Sequence, residues 1–77
     1  MDIPIPNQTY KHYKDKFYKI ISIARSTDDP NELFVIYESC YMDSVYGQNC
    51  VWSRKLSEFT DYVVFNGQHK KRFTLQN

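Results

Sequence analysis

Between residues 10 and 14 the chain reads Tyr10-Lys11-His12-Tyr13-Lys14, with aromatic and basic side chains interleaved. Further along, Trp52 supplies an indole, and Arg25, Arg54 and Arg72 supply guanidinium groups. Rings of this kind stack on a nucleobase or another planar group, while ammonium groups and guanidinium forks contact a phosphate. On an extended strand successive side chains point to opposite faces. Tyr10, His12 and Lys14 therefore share one side and Lys11 and Tyr13 the other, so one site uses at most half of the motif. The candidate ligand-binding residues are Tyr10, His12, Lys14, Arg25, Trp52, Arg54 and Arg72. The same residue types also have a purely structural use. Trp52 can anchor a core, and Arg25, Arg54 and Arg72 can pair with Asp43, Glu58 or Asp61 at its rim.

Other chemistries find less support. His12, Cys40, Cys50 and His69 are the only imidazoles and thiols. None are closely spaced, whereas metal sites usually draw ligands in near pairs from a turn or strand; no metal and no cofactor are expected. Nucleophilic catalysis needs Cys or Ser beside an oriented base. Cys40 lies in an apolar run and reads as a core thiol. The chain shows no Gly-x-Ser-x-Gly, phosphate loop or paired carboxylates. A non-enzyme is expected, with Cys40 or Cys50 beside His12 the one catalytic pairing left open.

The net charge of +1 argues against a histone-like polycation. The charges are nevertheless segregated. Lys11, Lys14, Lys16, Lys19 and Arg25 face only Asp15 in the first block. Asp28, Asp29, Glu32, Glu38 and Asp43 follow without a base, and Lys70, Lys71 and Arg72 come together near the end. If the two basic segments meet, they form one positive face; otherwise the charges lie on solvated strand faces.

These residues must be positioned by a small domain. With 77 residues there is room for one domain and about a dozen large core side chains. An aromatic content of 17% at near-neutral charge excludes intrinsic disorder. No apolar run is long enough for a membrane helix. The first residues lack the basic and apolar regions of a secretory signal, so Cys40 and Cys50 are expected as free thiols in the cytoplasm. Residues 1–8, with Pro4 and Pro6, read as an extended arm, either loose or lying on the domain through Ile3 and Ile5. Residues 9–77 read as one domain. Strands are expected at 10–13, 17–25, 32–41, 50–53, 61–65 and 68–75, rich in aromatic and β-branched residues. Leu56 and Phe59, three apart, suit a single helical or 3-10 turn near residues 55–59. Asn66-Gly67 between two strand-like runs is a hairpin cue, since a type I′ turn needs positive φ at both central residues. The fold class is all-β: a small barrel of five or six short strands. Trp52, Leu56, Phe59, Ile21, Ile23 and Val35 are the expected core.

The chain also resembles a known family. Tyr10-Lys11-His12-Tyr13-Lys14, the strand ending Ile23-Ala24-Arg25, the run Trp52-Ser53-Arg54-Lys55-Leu56-Ser57-Glu58-Phe59, Asn66-Gly67 and Arg72-Phe73 are similar, in order and spacing, to the domain-of-unknown-function family 1653 of bacterial and phage proteins. Asp15 stands where that family usually has Gly, Lys55 replaces Pro, Ser26 replaces a His, and the loop at 42–49 is longer. The resemblance implies an SH3-like barrel, a fold usually used for binding.

Together these readings favour a binding module for a nucleotide, single-stranded nucleic acid or other anionic ligand. The alternative is a protein-interaction module acting through an exposed strand edge or a patch of Tyr41, Tyr46 and Tyr62. A homo-oligomer is compatible with either, and no membrane partner is expected.

Overall fold

A computed structural model describes residues 3–76. Met1 and Asp2, which begin the expected arm, and Asn77 lie outside the described residues. The elements are β1 (Thr9–His12), β2 (Lys16–Arg25), β3 (Leu33–Ser39), β4 (Val51–Lys55), α1 (Leu56–Phe59), β5 (Tyr62–Phe65), β6 (Gln68–Lys71) and β7 (Phe73–Leu75). Five strands form an antiparallel sheet in the order β4-β3-β2-β1-β7, and β5 and β6 form a separate hairpin. The chain is thus mostly β with one short helical turn.

Two expectations are corrected. Among the described residues there are seven strands rather than five or six, and no barrel closes: β4 and β7 are the edges of an open sheet. The cause lies at Arg72, which divides the single strand expected over 68–75. Its N–H donates to the Asp61 carbonyl at 3.0 Å, on the hairpin side, and its own carbonyl accepts the Tyr13 N–H at 3.0 Å, on the sheet side. One residue hands the chain from one sheet to the other.

The turns follow from local chemistry. Asn66 (φ 52°) and Gly67 (φ 75°) both adopt the left-handed region that the β5–β6 turn requires. Asp15 does the same between β1 and β2 (φ 66°), so the turn survives without the glycine of the resembled family. Ser26 Oγ accepts the N–H groups of Asp28 and Asp29 and shapes the β2–β3 loop. In the long β3–β4 loop, Asp43 Oδ1 accepts the N–H groups of Val45 at 2.7 Å and Tyr46 at 2.9 Å. Those bonds hold the Asp43 carboxyl below its ordinary pKa.

The core is Tyr10, Ile20, Val35, Tyr37, Phe59 and Phe73, with Phe59 and Phe73 stacked at 4.0 Å between centroids. Of the residues expected there, Val35 and Phe59 are buried, while Ile23, Leu56 and Trp52 pack around the edge. Ile21 is 39% exposed. The β2–β3 register shifts between Ile20 and Ser22, and the bulged residue turns outward. Cys40 is exposed rather than a core thiol, because Ser39 takes the inward position beside it; both cysteines are free. The arm packs through buried Pro4, whereas Ile3 and Ile5 face solvent.

Candidate functional site

Strand register determines which candidate residues share a face. Tyr10 lies opposite Tyr18, and His12 opposite both Lys16 and Phe73. Tyr37 lies opposite Ile20 and Trp52, and Val35 opposite Arg54. Directly paired residues project to the same side of an antiparallel sheet. Tyr10, His12, Lys16, Tyr18, Tyr37, Trp52, Arg54 and Phe73 thus occupy one face, with the core at its floor and His12 towards its rim.

His12 is the centre of the rim. Its ring lies 4.4 Å from Tyr13, 4.9 Å from Phe73 and 6.4 Å from Tyr18. Its Nδ1 accepts the backbone N–H of Lys14 at 3.2 Å, so the neutral ring carries its proton on Nε2 and offers a donor there. Burial lowers its pKa to about 4, aided by the positive charges of Arg54, Arg72 and Lys14. The imidazole is therefore uncharged at neutral pH. Its low basicity also makes it a poor proton acceptor for general-base chemistry at that pH.

The surrounding cations rest against rings. Lys16 lies 4.8 Å over Tyr41, Lys14 5.7 Å over Tyr13, Lys70 5.5 Å over Phe65 and Arg54 6.0 Å over Phe73. Tyr13 also meets Phe65 edge-on at 5.5 Å, which brings the N-terminal basic segment against the C-terminal hairpin. The Tyr18 and Tyr41 hydroxyls share a hydrogen bond of 2.8 Å. Desolvation, reinforced by that bond, raises the Tyr18 pKa. The two arginines have acidic neighbours. Arg72 forms a two-pronged contact with Asp61, Nε to Oδ1 at 2.7 Å and Nη2 to Oδ2 at 3.4 Å, which raises its pKa. Arg54 lies 3.8 Å from Glu58 and donates through Nε to the Tyr37 hydroxyl at 3.4 Å.

The seven candidates from the sequence thus divide. His12, Lys14, Arg54 and Arg72 gather around one ring. Trp52 borders them, half-buried, donating through Nε1 to Ser39 Oγ at 3.0 Å and meeting Tyr46 edge-on at 5.3 Å. Tyr10 is buried against Phe59, at 5.2 Å, and serves the floor rather than an open surface. Arg25 is apart. It stands at the other end of β2 from Lys16, roughly 30 Å along the strand, and donates to the Pro30 carbonyl at 2.8 Å. Lys16, Tyr18, Tyr41 and Lys70 join the face without having been singled out. Lys16 and Tyr18 were accessible to reasoning, because the tight turn at 13–15 pairs them with His12 and Tyr10. Tyr41 and Lys70 arrive through loop and hairpin packing that no local pattern announces. A cleft of about 400 Å³ lies between Tyr10, Phe59, Phe73, Leu75 and the hairpin residues Tyr62 and Lys71.

Among the described residues no group of three or more His, Cys, Asp or Glu side chains is placed to hold a metal ion. No helix of the described residues is long and apolar enough to cross a membrane. A family model described as "Protein of unknown function (DUF1653)" matches residues 8–75. No curated protein and no solved structure matches the chain significantly.

Proposed function

We infer, for a chain that belongs to the DUF1653 family, a non-enzymatic binding module that takes a nucleotide, a single-stranded nucleic acid or another anionic ligand on the face around His12. One observation carries this reading: Arg54, Arg72 and Lys14 converge on a single half-buried, neutral imidazole. A phosphate there receives a hydrogen bond from Nε2 and charge from the neighbouring cations, without displacing any positive charge from the imidazole itself. Tyr18, Tyr41 and Trp52 offer ring surface beside it for a base. Asp61 and Glu58 offset part of the charge but also hold the guanidinium groups in place, which reduces the ordering cost of binding. Two free cysteines suit a reducing compartment, so we place the protein in the cytoplasm.

Thermal-shift and NMR titrations with a nucleoside triphosphate and a short oligothymidylate test the reading. At low salt the unfolding midpoint should rise, and the His12 pKa should move up from about 4 as a phosphate neutralises its surroundings. The effect should weaken steeply as salt is raised. Lys14→Ala and Lys16→Ala should each weaken binding roughly tenfold to a hundredfold, the value of a charge-assisted contact of about 1.5–3 kcal/mol. No shift with either ligand at low salt abandons the reading in favour of protein recognition. The open strand edges and the 63% and 61% exposed Tyr46 and Tyr62 favour that alternative. Its tyrosines do not form one patch: Tyr41 packs on Tyr18, Tyr46 on Trp52, and Tyr62 borders the cleft beside Phe59.

A further inference from the structure

We propose that the free edge of β4 is a self-pairing edge, and that a second copy of this chain adds its own β4 there, antiparallel, about a two-fold axis at Ser53. The hydrogen-bond phase of the sheet leads to this partner. Ser39 N–H donates to the Cys50 carbonyl at 2.9 Å, which makes Ser39 and Cys50 a hydrogen-bonded pair. In an antiparallel ladder such pairs alternate with pairs whose amides point away. Trp52 opposite Tyr37 and Arg54 opposite Val35 therefore bond inward. Val51 and Ser53 direct N–H and C=O outward, and Lys55 its N–H while its carbonyl begins α1, to an edge where no further strand pairs among the described residues. The bond from Cys40 N–H to the Phe17 carbonyl at 3.0 Å gives the same phase on the other side of β3.

Of the symmetric registers, the one centred on Ser53 engages all three outward residues. Ser53 lies opposite its own copy, and Val51 opposite the partner's Lys55. The intervening residues then fall into non-hydrogen-bonded positions, where side chains are closest. On the inner face each Trp52 lies opposite an Arg54 across the axis, and this indole–guanidinium pair occurs twice. On the outer face the Lys55 stem covers Val51, which is 58% exposed in the single chain.

Edge strands are ordinarily guarded by proline, bulges or a projecting lysine. β4 has no proline and no register shift within its pairing with β3. Its one lysine, Lys55, is drawn back to Glu32 at 3.2 Å. β7, the opposite edge, offers only three residues. Five residues make a small interface, well under the roughly 1,000 Å² of a tight complex, so the association is weak and concentration-dependent.

Sedimentation equilibrium of the ligand-free protein tests this independently of any anion binding. The average mass should climb from 9.3 kDa towards twice that value as concentration rises. Over the same range the amides of Val51, Ser53 and Lys55 should gain protection from hydrogen exchange. Ser53→Pro removes an outward N–H without touching the β3–β4 ladder and should stay monomeric. Val51→Lys places like charge against the partner's Lys55 and should also stay monomeric, so it decides the matter if the proline variant fails to fold. A wild-type chain that remains at 9.3 kDa at the highest attainable concentration overturns the proposal. So does association of a folded Ser53→Pro or Val51→Lys variant as strong as that of the wild type.

Discussion

His12 shows how a single residue changes character with its surroundings. In the unfolded chain its pKa is near 6.5, and in the folded chain burial and three cations lower it to about 4. Between those values the unfolded state binds more protons, so stability falls as pH drops from about 6.5 to about 4 and levels off below. Above pH 6.5 the group has no effect on the slope. His12→Gln should flatten that part of a plot of unfolding midpoint against pH; an unchanged slope would assign the pH dependence to other groups. Arg72 is the second informative residue. Asp61 occupies its fork with side chains only 37% and 23% exposed, for Asp61 and Arg72 respectively. Asp61→Asn should cost about 1 kcal/mol, since a partly solvated ion pair contributes less than a buried one. If the anion reading holds, the same change releases Arg72 and tightens nucleotide binding. Urea unfolding and a nucleotide titration of one variant check both effects.

At the scale of elements, the turns carry the specification. Lys55 caps α1 with φ −56° and ψ 138°, dihedrals that a proline adopts without strain, and its N–H points to the free edge. Lys55→Pro should therefore keep the fold and stabilise it by about 0.4–1 kcal/mol through the unfolded state, less a few tenths for the exposed Glu32 pair. A loss of stability in urea unfolding would show that the backbone at the β4–α1 junction is not what the dihedrals indicate. The departures of this chain from the resembled family thus fall where the backbone tolerates them: Asp15 reaches positive φ, Ser26 organises a turn, and Lys55 keeps proline-like geometry.

At the scale of the whole molecule, the radius of gyration of 12.8 Å exceeds the roughly 11.5 Å of a typical compact domain of this length. An open sheet with an outlying hairpin accounts for the difference, and concentrates stability in few side chains. Phe59, 1% exposed, stacks on Phe73 and meets Tyr10 and Tyr37 edge-on. Phe59→Ala should cost about 3–5 kcal/mol, a large part of the 5–15 kcal/mol that holds a domain together. Loss of the cooperative unfolding transition at ambient temperature is the expected result; a midpoint within a few degrees of wild type would contradict the placement of the core.

Short-range chemistry was legible in the residues themselves. Strand-forming runs, the Asn66-Gly67 turn and the helical turn at Leu56 and Phe59 depend on dihedral preferences that a few neighbours determine. The interleaved Tyr10–Lys14 motif marked the right segment for the same reason, since alternation along a strand is a local property. What the chain's order could not convey is which strands stop. The division at Arg72 depends on Asp61 and Tyr13 arriving from two different sheets, and the outward turn of Ile21 depends on a register shift against β3. Tyr10 and Trp52 exchanged their expected roles in the core for a similar reason: burial is decided by which face the assembled sheet covers, and Phe59 and Phe73 cover Tyr10 first. The gathering of His12, Lys14, Arg54 and Arg72 around one ring is likewise a product of tertiary packing. Charges separated by some sixty residues of chain share a site only once long-range strand pairing has overcome the entropy of closing that loop.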